Sequence, residues 1–407
     1  MDSDPPQPGQ WPVDPQDDEP QILKERMWVD GCFDFAHHGH AGAMLQARQL
    51  GDELYVGVHS DEAILANKGP TVMTLDERIA AVEACRWATK AVPHAPYNTQ
   101  LPWISHYGCF YVVHGDDITS DANGEDTYRF VKEAGRFLEV KRTPGISTTD
   151  LVGRMLLCTK GHFIPALDTG LQHPQHGAQM LERIQQYATD QTGLHPGAEV
   201  YIWKADVEAQ LHLTKETGRF TKFVTGNRPQ PGQRVVYVDG GFDLFSSGHI
   251  EFLKRVNQAE SGKAHIVAGI HNDEVINRYK GMNYPIMNIF ERGLCVLQCK
   301  YVNAVVFGAP LAPSKEYLGS MPVGTISAVY HGPTEFLPMD YDPYADAKAL
   351  GIMKQIPDHP YKHVNASEIL GRIEKGRAAF EERQRRKGQK AVVEGAIKAE
   401  ELIARGQ

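Results

Sequence analysis

Two histidines, His37 and His40, enclose a glycine in the stretch VDGCFDFAHHGH (residues 29–40). The apolar run before them stops at Asp-Gly, which predicts a strand ending there, and a helix is predicted to begin near His40. A helix N-terminus presents free backbone N–H groups and a positive dipole end to an anion. Two imidazoles at this point can donate hydrogen bonds to one phosphate, while Gly39 lets the backbone come close. The stretch therefore predicts a phosphate site that stabilises a transition state at phosphorus without a covalent intermediate.

Two other interpretations of the histidines remain open. The spacing His-x-x-His also suits a metal site, although no third ligand is evident in the sequence. A histidine in a loop is also often structural. Phosphate chemistry is favoured because of the residues that accompany the pair in the same repeat, and His38, at the variable position, is expected to be dispensable.

The same frame returns about 210 residues later as VDGGFDLFSSGH (residues 238–249). Four more segments recur in the same order: VGVHSDEAI with AGIHNDEVI, KGPTVMTLDER with KGMNYPIMNIFER, VVHGDD with VYHGPT, and DTYRFVKEAG with DPYADAKALG. These matches in register predict an internal duplication, with homologous domains at residues 24–155 and 233–375.

Each repeat alternates short apolar runs with segments of helical periodicity. RMWVDG and RVVYVDG are predicted buried strands, and HAGAMLQARQLGD and HIEFLKRVNQAE are predicted helices. The β-α-β-α order predicts an α/β fold with a parallel sheet in each domain. Ligands of such sheets bind at the carboxyl ends of the strands, where both histidine frames are expected to lie.

Three segments fall outside the repeats. Residues 1–23 are rich in Pro and Asp and are predicted to be a disordered tail. Residues 156–232 are predicted to be a partly ordered linker, whose more apolar second half packs onto a domain. Residues 376–407 are charged and rich in helix formers, which predicts a solvated helical tail. Its thin apolar face, interrupted by Gly388 and Gly395, suits at most a weak association with a membrane surface.

The bulk composition narrows the function classes. A net charge of −9 argues against broad nucleic-acid binding, which needs a basic surface. The six cysteines form no Cys-x-x-Cys pair, which favours free thiols in a reducing compartment. The sequence contains no apolar run of about 18 residues that would predict a transmembrane helix, and the N-terminus has no apolar leader. The cytoplasm is the predicted location.

Beyond these patterns, the sequence resembles a known family. DGCFDFAHHGH is similar to the signature of the His-x-Gly-His nucleotidyltransferase superfamily, and KRTPGISTTDLVGRM (residues 141–155) resembles a segment of the cytidylyltransferases. NKGPTVMTLDER and VVHGDDI match the same family. The resemblance covers both repeats and implies two tandem Rossmann-like nucleotidyltransferase domains with parallel sheets.

Two such domains in one chain resemble the cytidylyltransferases that act on phosphoethanolamine, whereas those that act on phosphocholine have one domain and a membrane-binding helix. The resemblance implies that CTP and phosphoethanolamine give CDP-ethanolamine and pyrophosphate by in-line attack at the α-phosphorus, on the route to phosphatidylethanolamine. It also implies Mg²⁺ that arrives with CTP, and no dedicated protein site for a metal is predicted.

The resemblance also implies roles for residues of the first repeat. The catalytic residues would be His37, His40, Lys68 and Arg142. Contacts to CTP are expected from Gly31, Cys32, Phe33, Gly39, Gly145, Ile146, Ser147 and Thr148. The ethanolamine ammonium is expected to lie near Asp30, Tyr97, Asp117 and Tyr128. Taken alone, GISTTD could equally be a helix N-cap, Asp30 a turn residue and Tyr128 a core aromatic.

The second repeat lacks part of this set. Ser246 stands where the first repeat has His37, while His249 and Lys280 remain. No arginine stands at the position of Arg142. Each lost charge-assisted contact in a dry site costs on the order of 2–4 kcal/mol of transition-state stabilisation. We therefore predict one active site, in the first repeat, with the second repeat as a degenerate partner in an intramolecular pseudo-dimer.

Other functions remain open at this point. The acceptor could be phosphocholine, glycerol phosphate or another alcohol phosphate, or the nucleotide could be ATP. The chain could also be a nucleotide-binding regulatory pseudoenzyme, although the complete first-repeat set argues against that.

Overall fold

The computed structural model describes residues 21–165, 167–206, 217–334 and 339–386. The chain forms two compact units, residues 1–152 together with 371–407, and residues 153–370. Of the two predicted tails, only residues 21–23 and 376–386 lie within the described ranges.

The first unit contains a five-stranded parallel sheet with the strand order β3-β2-β1-β4-β5. Its strands are β1 (Leu23–Gly31), β2 (Glu53–His59), β3 (Lys90–Ala95), β4 (Cys109–Gly115) and β5 (Phe137–Val140). The strand order reverses between β1 and β4, and the crevice at such a reversal is where α/β sheets bind ligands. The loop that follows β1 carries the histidine frame.

Helices connect these strands. They are a 3₁₀ turn (Asp34–Ala36), α1 (His38–Arg48), α2 (Asp61–Lys68), α3 (Leu75–Ala84), α4 (Leu101–His106), α5 (Arg129–Glu133) and α6 (Thr148–Leu157). Local sequence explains where they begin: the Ser60 hydroxyl caps α2, and Thr74 with Glu77 forms a capping box on α3. Trp28 on β1 is fully buried at the centre of the core of this unit.

The second unit contains a seven-stranded sheet with the order β12-β11-β8-β9-β10-β6-β7. Its strands are β6 (Glu199–Ala205), β7 (Gly218–Val224), β8 (Val235–Gly240), β9 (His265–Ile270), β10 (Ala304–Phe307), β11 (Ile326–His331) and β12 (Met353–Gln355). Strands β8 to β12 repeat the order of the first unit. The α/β fold with duplicated parallel sheets is therefore confirmed.

Two strands of this sheet come from the predicted linker. β6 pairs in parallel with β10, and β7 pairs antiparallel with β6 at the edge. The apolar run VYIWKA, which reads as a segment that packs onto a domain, lies in this sheet as β6.

The helices of the second unit are α7 (Leu167–Leu171), α8 (Gly177–Tyr187), α9 (Ser247–Ala259), α10 (Asp273–Lys280), α11 (Ile289–Leu297), α12 (Lys315–Gly319), α13 (Ala345–Ala349) and α14 (Ala366–Lys375). Helices α9 to α14 correspond in order to α1 to α6 of the first unit, whereas α7 and α8 come from the predicted linker. Within the described ranges, no helix is long and apolar enough to cross a membrane.

An arginine on the last helix of each repeat forms a bidentate ion pair with a glutamate of the same unit. Residues 153–157 of α6 belong to the second unit, where Arg154 donates to both carboxylate oxygens of Glu291 at 2.7 and 2.8 Å. Residues 371–375 of α14 belong to the first unit, where Arg372 contacts Glu77 in the same bidentate way. Each unit thus contains one such arginine–glutamate ion pair.

Candidate functional site

The loop after β1 presents the histidine pair at the start of α1. Phe33, Phe35 and Ala36 all adopt positive φ, at 54°, 64° and 41°, so the loop is held in a strained conformation. The Nδ1 atom of His37 accepts the backbone N–H of Gly39 at 3.1 Å, which leaves the proton of the neutral ring on Nε2. His37 is therefore oriented as a donor.

The two imidazoles lie against one another. The rings of His37 and His40 stack with their centroids 3.9 Å apart and an interplanar angle of 15°. Phe33 contacts His40 edge-on at 5.4 Å, and its own ring covers Gly31. The predicted pair is thus a single packed unit at a helix N-terminus.

Gly39 joins this pair to the second predicted phosphate segment. A methyl group at Gly39 would lie 2.8 Å from Cγ2 of Ile146 and 2.9 Å from Nδ1 of His37. Gly145 adopts a φ of 85°, which turns the chain into α6. The helix start at His37 and the helix start at Ser147 are therefore neighbours.

Ser147 acts as the N-cap of α6. Its hydroxyl oxygen accepts the backbone N–H of Asp150 at 3.1 Å, and the hydroxyl donates to the Asp150 carboxylate at 2.7 Å. The side chain of Ser147 therefore has a capping role, and the backbone groups of the 145–148 segment remain the predicted phosphate contacts.

Lys68 ends α2 and faces the space at the carboxyl ends of the strands. Its Nζ lies 5.6 Å from the centroid of the Tyr97 ring. Burial lowers the pKa of His59 and of His114, and the positive charge of Lys68 acts in the same direction on both. Lys68 therefore lies close enough to both His59 and His114 to oppose their protonation, and Arg78 acts in the same direction on His59.

Arg142 and Asp117 form an ion pair. The Arg142 guanidinium lies 3.4 Å from Oδ2 of Asp117, and their side chains are 49% and 46% exposed. The backbone N–H of Arg142 also donates to Asp116 at 3.0 Å. Within the described ranges, Arg142 contacts these aspartates and not the histidine pair. An exposed pair of this kind contributes about 0–1 kcal/mol to stability, so substrate charges can replace it at little cost.

Asp30 is held by three donors at the end of β1. Oδ2 accepts from Trp28 Nε1 at 2.8 Å and from the Thr99 hydroxyl at 2.6 Å, and Oδ1 accepts from the Tyr128 hydroxyl at 2.8 Å. Burial and the adjacent Asp30 raise the pKa of Tyr128 well above its usual value, so the phenol stays a donor. A carboxylate accepts about four hydrogen bonds, so Asp30 retains capacity for one more donor. Tyr97 instead directs its hydroxyl to the carbonyl of Ser120 at 3.3 Å.

In the second unit the corresponding helix start is covered by carbonyl oxygens. Ser246 donates its hydroxyl to the carbonyl of Val364 at 2.8 Å, and its backbone N–H donates to Nδ1 of His249 at 3.2 Å. A methyl group at Gly248 would lie 2.3 Å from Val364 O and 2.9 Å from Tyr361 O. Burial lowers the pKa of His249 to about 4, which keeps the ring neutral.

Asp239, the counterpart of Asp30, has fewer donors. Oδ1 accepts from the Tyr344 hydroxyl at 2.6 Å, while Oδ2 makes no hydrogen bond with any residue that the structure describes. Burial raises the pKa of the Asp239 carboxyl to about 7. Lys280 remains near its aromatic neighbour, with Nζ 5.4 Å from the Tyr284 ring centroid.

Comparison with known proteins decides the family. A family model described as cytidylyltransferase-like matches residues 28–154 and 237–371. The ethanolamine-phosphate cytidylyltransferase of Mus musculus is 42% identical to this chain, and the match covers 89% of each chain. That of Dictyostelium discoideum is 40% identical over 90% of this chain and 95% of its own. The chain belongs to the ethanolamine-phosphate cytidylyltransferase family.

The choline-phosphate relatives match a much shorter part of the chain than the ethanolamine-phosphate relatives do. Choline-phosphate cytidylyltransferase A of Homo sapiens is 41% identical, but the match covers 32% of this chain and 36% of its own. Among these three relatives, only the two ethanolamine-phosphate enzymes match the chain over both repeats. Members of their family are nucleotidyltransferases.

Sequence reasoning missed several buried residues that build the site. Asp34 accepts the backbone N–H groups of Val72 and Met73 at 3.0 and 2.9 Å. Arg78 is 1% exposed and donates to the Cys32 carbonyl at 2.7 Å. A signal for these residues was present, since they recur in the second repeat: Asp34 as Asp243, Arg78 as Arg292, His59 as His271 and His114 as His331. Cys32 itself offers its carbonyl, and burial raises the pKa of its thiol to about 11.

Replacement of Gly39 by alanine tests the junction of the two helix starts. We expect Gly39→Ala to lower turnover by about a hundredfold, because the new methyl group displaces His37 or Ile146. Gly153→Ala on α6 is the control, since a methyl group there meets no described atom within 4 Å. The rate of pyrophosphate release from CTP measures the effect, and wild-type turnover in Gly39→Ala would contradict this account.

The buried carboxyl of Asp239 predicts a pH dependence of stability. Its folded pKa of about 7 lies above the unfolded value near 4, so the folded state gains stability below pH 4 and loses it as the pH rises to 7. The loss is at most about 4 kcal/mol. We expect Asp239→Asn to raise the melting temperature at pH 8 and to change it little at pH 5, as measured by calorimetry.

Asp30→Asn provides the matched control for that measurement. Its amide N–H₂ would face donors that now bond a carboxylate, so this variant is expected to lower the melting temperature at pH 8. If Asp239→Asn had the same pH profile of melting as the wild type, the assigned pKa of Asp239 would be wrong.

Proposed function

We propose that the chain transfers the cytidylyl group of CTP to phosphoethanolamine, which gives CDP-ethanolamine and pyrophosphate. The observation that carries this proposal is the match to ethanolamine-phosphate cytidylyltransferases over about nine tenths of the chain. A phosphate oxygen of phosphoethanolamine forms a bond to the α-phosphorus of CTP, and the bond from that phosphorus to the bridging oxygen breaks. CDP-ethanolamine then serves the synthesis of phosphatidylethanolamine.

The histidine pair would stabilise the charge on the reacting phosphates. Since Nδ1 of His37 accepts the N–H of Gly39, the Nε2–H is the group of His37 that would donate to a phosphate oxygen. His40 stacks on that ring and is held by the same helix start, so both imidazoles are positioned before substrate binds. Donors fixed in advance cost no reorganisation during the reaction.

Lys68 and Arg142 would supply the cations for the negative charge of the two substrates. Lys68 is held at the end of α2 beside Tyr97, and Arg142 lies in the loop that leads to the segment 145–148. The Arg142–Asp117 ion pair would couple the binding of the two substrate charges. When a substrate phosphate binds the guanidinium of Arg142, the carboxylate of Asp117 becomes available to a substrate ammonium.

The ethanolamine ammonium would be recognised by carboxylates. Asp30 is a buried carboxylate with spare accepting capacity, and His114 and Tyr128 pack beside it with ring centroids 4.6 Å apart. A primary ammonium donates hydrogen bonds, which suits such oxygens. A quaternary ammonium has no N–H and would need an aromatic cage instead.

We propose that Mg²⁺ enters with CTP. Within the described ranges, no group of three or more His, Cys, Asp or Glu residues could hold a metal ion, so the phosphates of CTP would provide most of its ligands. Mg²⁺ would neutralise charge on those phosphates, and the protein would bind the oxygens that the ion leaves free.

Catalysis is proposed to lie in the first unit alone. The carbonyls of Tyr361 and Val364 over the second helix start support this assignment, because carbonyl oxygens repel phosphate. Pairing of the two repeats as a pseudo-dimer stays a prediction. A cytoplasmic location is likewise proposed, supported by six cysteines that are all free thiols.

A substrate panel tests the reaction. Each of the four nucleoside triphosphates is supplied with phosphoethanolamine or with phosphocholine, and pyrophosphate release is measured. We expect CTP with phosphoethanolamine to exceed every other combination by at least about tenfold in kcat/KM. A preference for phosphocholine or ATP would refute the proposed substrates, and absence of release in all combinations would favour a regulatory pseudoenzyme.

The location of catalysis is tested by one histidine in each repeat. We expect His37→Ala to lower CDP-ethanolamine formation by at least about a hundredfold, whereas His249→Ala should change it by less than about twofold. The reason is that His37 is oriented by the N–H of Gly39 at the helix start proposed to bind phosphate, while His249 caps its own helix and carbonyl oxygens lie over the adjacent Gly248. Equal losses in the two variants would overturn the single-site assignment.

A further inference from the structure

The C-terminal end of the described chain packs on the first unit. After a turn at Gly376, residues 377–386 continue as a helix. Phe380 on this segment is 4% exposed, and the Gln384 amide donates to the carbonyl of Thr149 at 3.4 Å. The part of the predicted tail that the structure describes is therefore packed rather than fully solvated.

Arg383 lies over the segment that carries Lys68. Its guanidinium donates to the carbonyl of Pro70 and lies 3.5 Å from Oδ2 of Asp34. A methyl group at Gly69 would lie 3.3 Å from Cβ and Cγ of Arg383, so the aliphatic stem runs along this glycine. The Arg383 side chain is only 17% exposed, so these contacts are largely removed from water.

Asp34 connects this arginine to the histidine loop. The carboxylate accepts the N–H groups of Val72 and Met73, and it belongs to the 3₁₀ turn that immediately precedes His37. One guanidinium therefore contacts both the segment that carries Lys68 and the residue that shapes the loop before His37.

The second unit has the same anchor but no such arginine. Arg154 pairs with Glu291 as Arg372 pairs with Glu77, and Asp243 accepts two consecutive backbone N–H groups as Asp34 does. At Gly281, the counterpart of Gly69, a methyl group would meet no described atom within 4 Å.

The neighbouring carbonyl in the second unit, that of Pro285, is contacted by a histidine, His162, at 2.8 Å. Arg154 donates to the next carbonyl, that of Ile286, at 3.0 Å. Among the described residues, the difference between the units is therefore the arginine packed along the glycine that follows the lysine, which only the unit proposed to be catalytic has.

We propose that Arg383 is a positioning residue for the reaction, which fixes the Lys68–Pro70 segment so that the Lys68 ammonium faces the substrate phosphates. Gly69 has a φ of 94° and no side chain, and it contributes to this turn through its backbone N–H, which donates to the carbonyl of Ile64 at 3.1 Å. The stem of Arg383 adds a side-chain contact along this glycine, and its charge ties the turn to Asp34. The inference rests on the proposed function, because the role of Lys68 is part of that proposal.

The first test compares variants within the full-length chain. Arg383→Ala is expected to lower kcat/KM for CTP by about ten- to hundredfold, because misplacement by about 1 Å has effects of this size. Arg383→Lys should retain an intermediate rate, since it keeps the stem and the charge. Arg386→Ala is the control, because Arg386 lies on the same helix, is 68% exposed and pairs with Glu382. Wild-type kinetics in Arg383→Ala would overturn the proposal.

A double-mutant cycle separates positioning from loss of stability. If Arg383 acts through Lys68, Arg383→Ala should cause no further loss of kcat/KM in a Lys68→Ala background. A radiolabelled assay of CDP-ethanolamine formation detects the residual rate. If the two losses multiply instead, Arg383 acts independently of Lys68 and the positioning role is wrong.

Hydrogen exchange of the peptide that covers residues 68–73 gives a readout that does not require catalysis. We expect Arg383→Ala to accelerate exchange there, while Arg386→Ala leaves it unchanged. Unchanged exchange in Arg383→Ala refutes the positioning role even if the enzyme is active. The two proposals can also fail separately. If the wild type does not form CDP-ethanolamine but Arg383→Ala still accelerates hydrogen exchange at residues 68–73, the proposed reaction is refuted, whereas the contact of Arg383 with this segment is supported.

Discussion

One buried carboxylate holds the candidate site together. Asp34 accepts the N–H groups of two consecutive residues, Val72 and Met73, and so joins the loop before the histidine pair to the segment after Lys68. The loop contains residues at positive φ, which persist only when surrounding contacts over-determine them. Without this carboxylate two buried N–H groups would lose their acceptor, and the loop would lose the contact that balances its strain.

The two units show how one frame supports two different environments. Both place an aspartate at the end of the first strand of the repeat and a histidine on the first turn of the next helix. In the first unit three donors surround Asp30, and a glycine admits Ile146 at the helix start. In the second unit Asp239 has one such donor, and backbone carbonyls lie over the helix start. The frame is common to both units, and the groups that surround it differ.

The features that could be predicted from the sequence are those that show as a local pattern or as a repeat. The duplication, the parallel sheets and the fold of each repeat follow from periodicity and from motifs that recur in register. Other contacts could not be predicted, because they join residues that are far apart in sequence and follow no repeating pattern. They are the ion pair of Arg142 with Asp117, the approach of two carbonyl oxygens to Gly248, and the contact of Arg383 with Asp34. β6 shows the boundary between the two cases: its apolar run is visible, but its partner β10 lies about 100 residues away. Pairing at such a distance depends on the whole fold.

The first unit is built from two separate stretches of the chain, which affects the order in which its contacts can form. Arg372 and Arg383 belong to the second stretch, so they are synthesised long after the sheet of that unit has emerged. The partner of Glu77 is translated 295 residues later, and Arg383, which contacts Asp34, follows Arg372 along the chain. The first sheet can assemble during synthesis, but its lysine segment reaches these contacts only after residue 383 has been translated. Completion of the candidate active site is thereby tied to synthesis of both repeats.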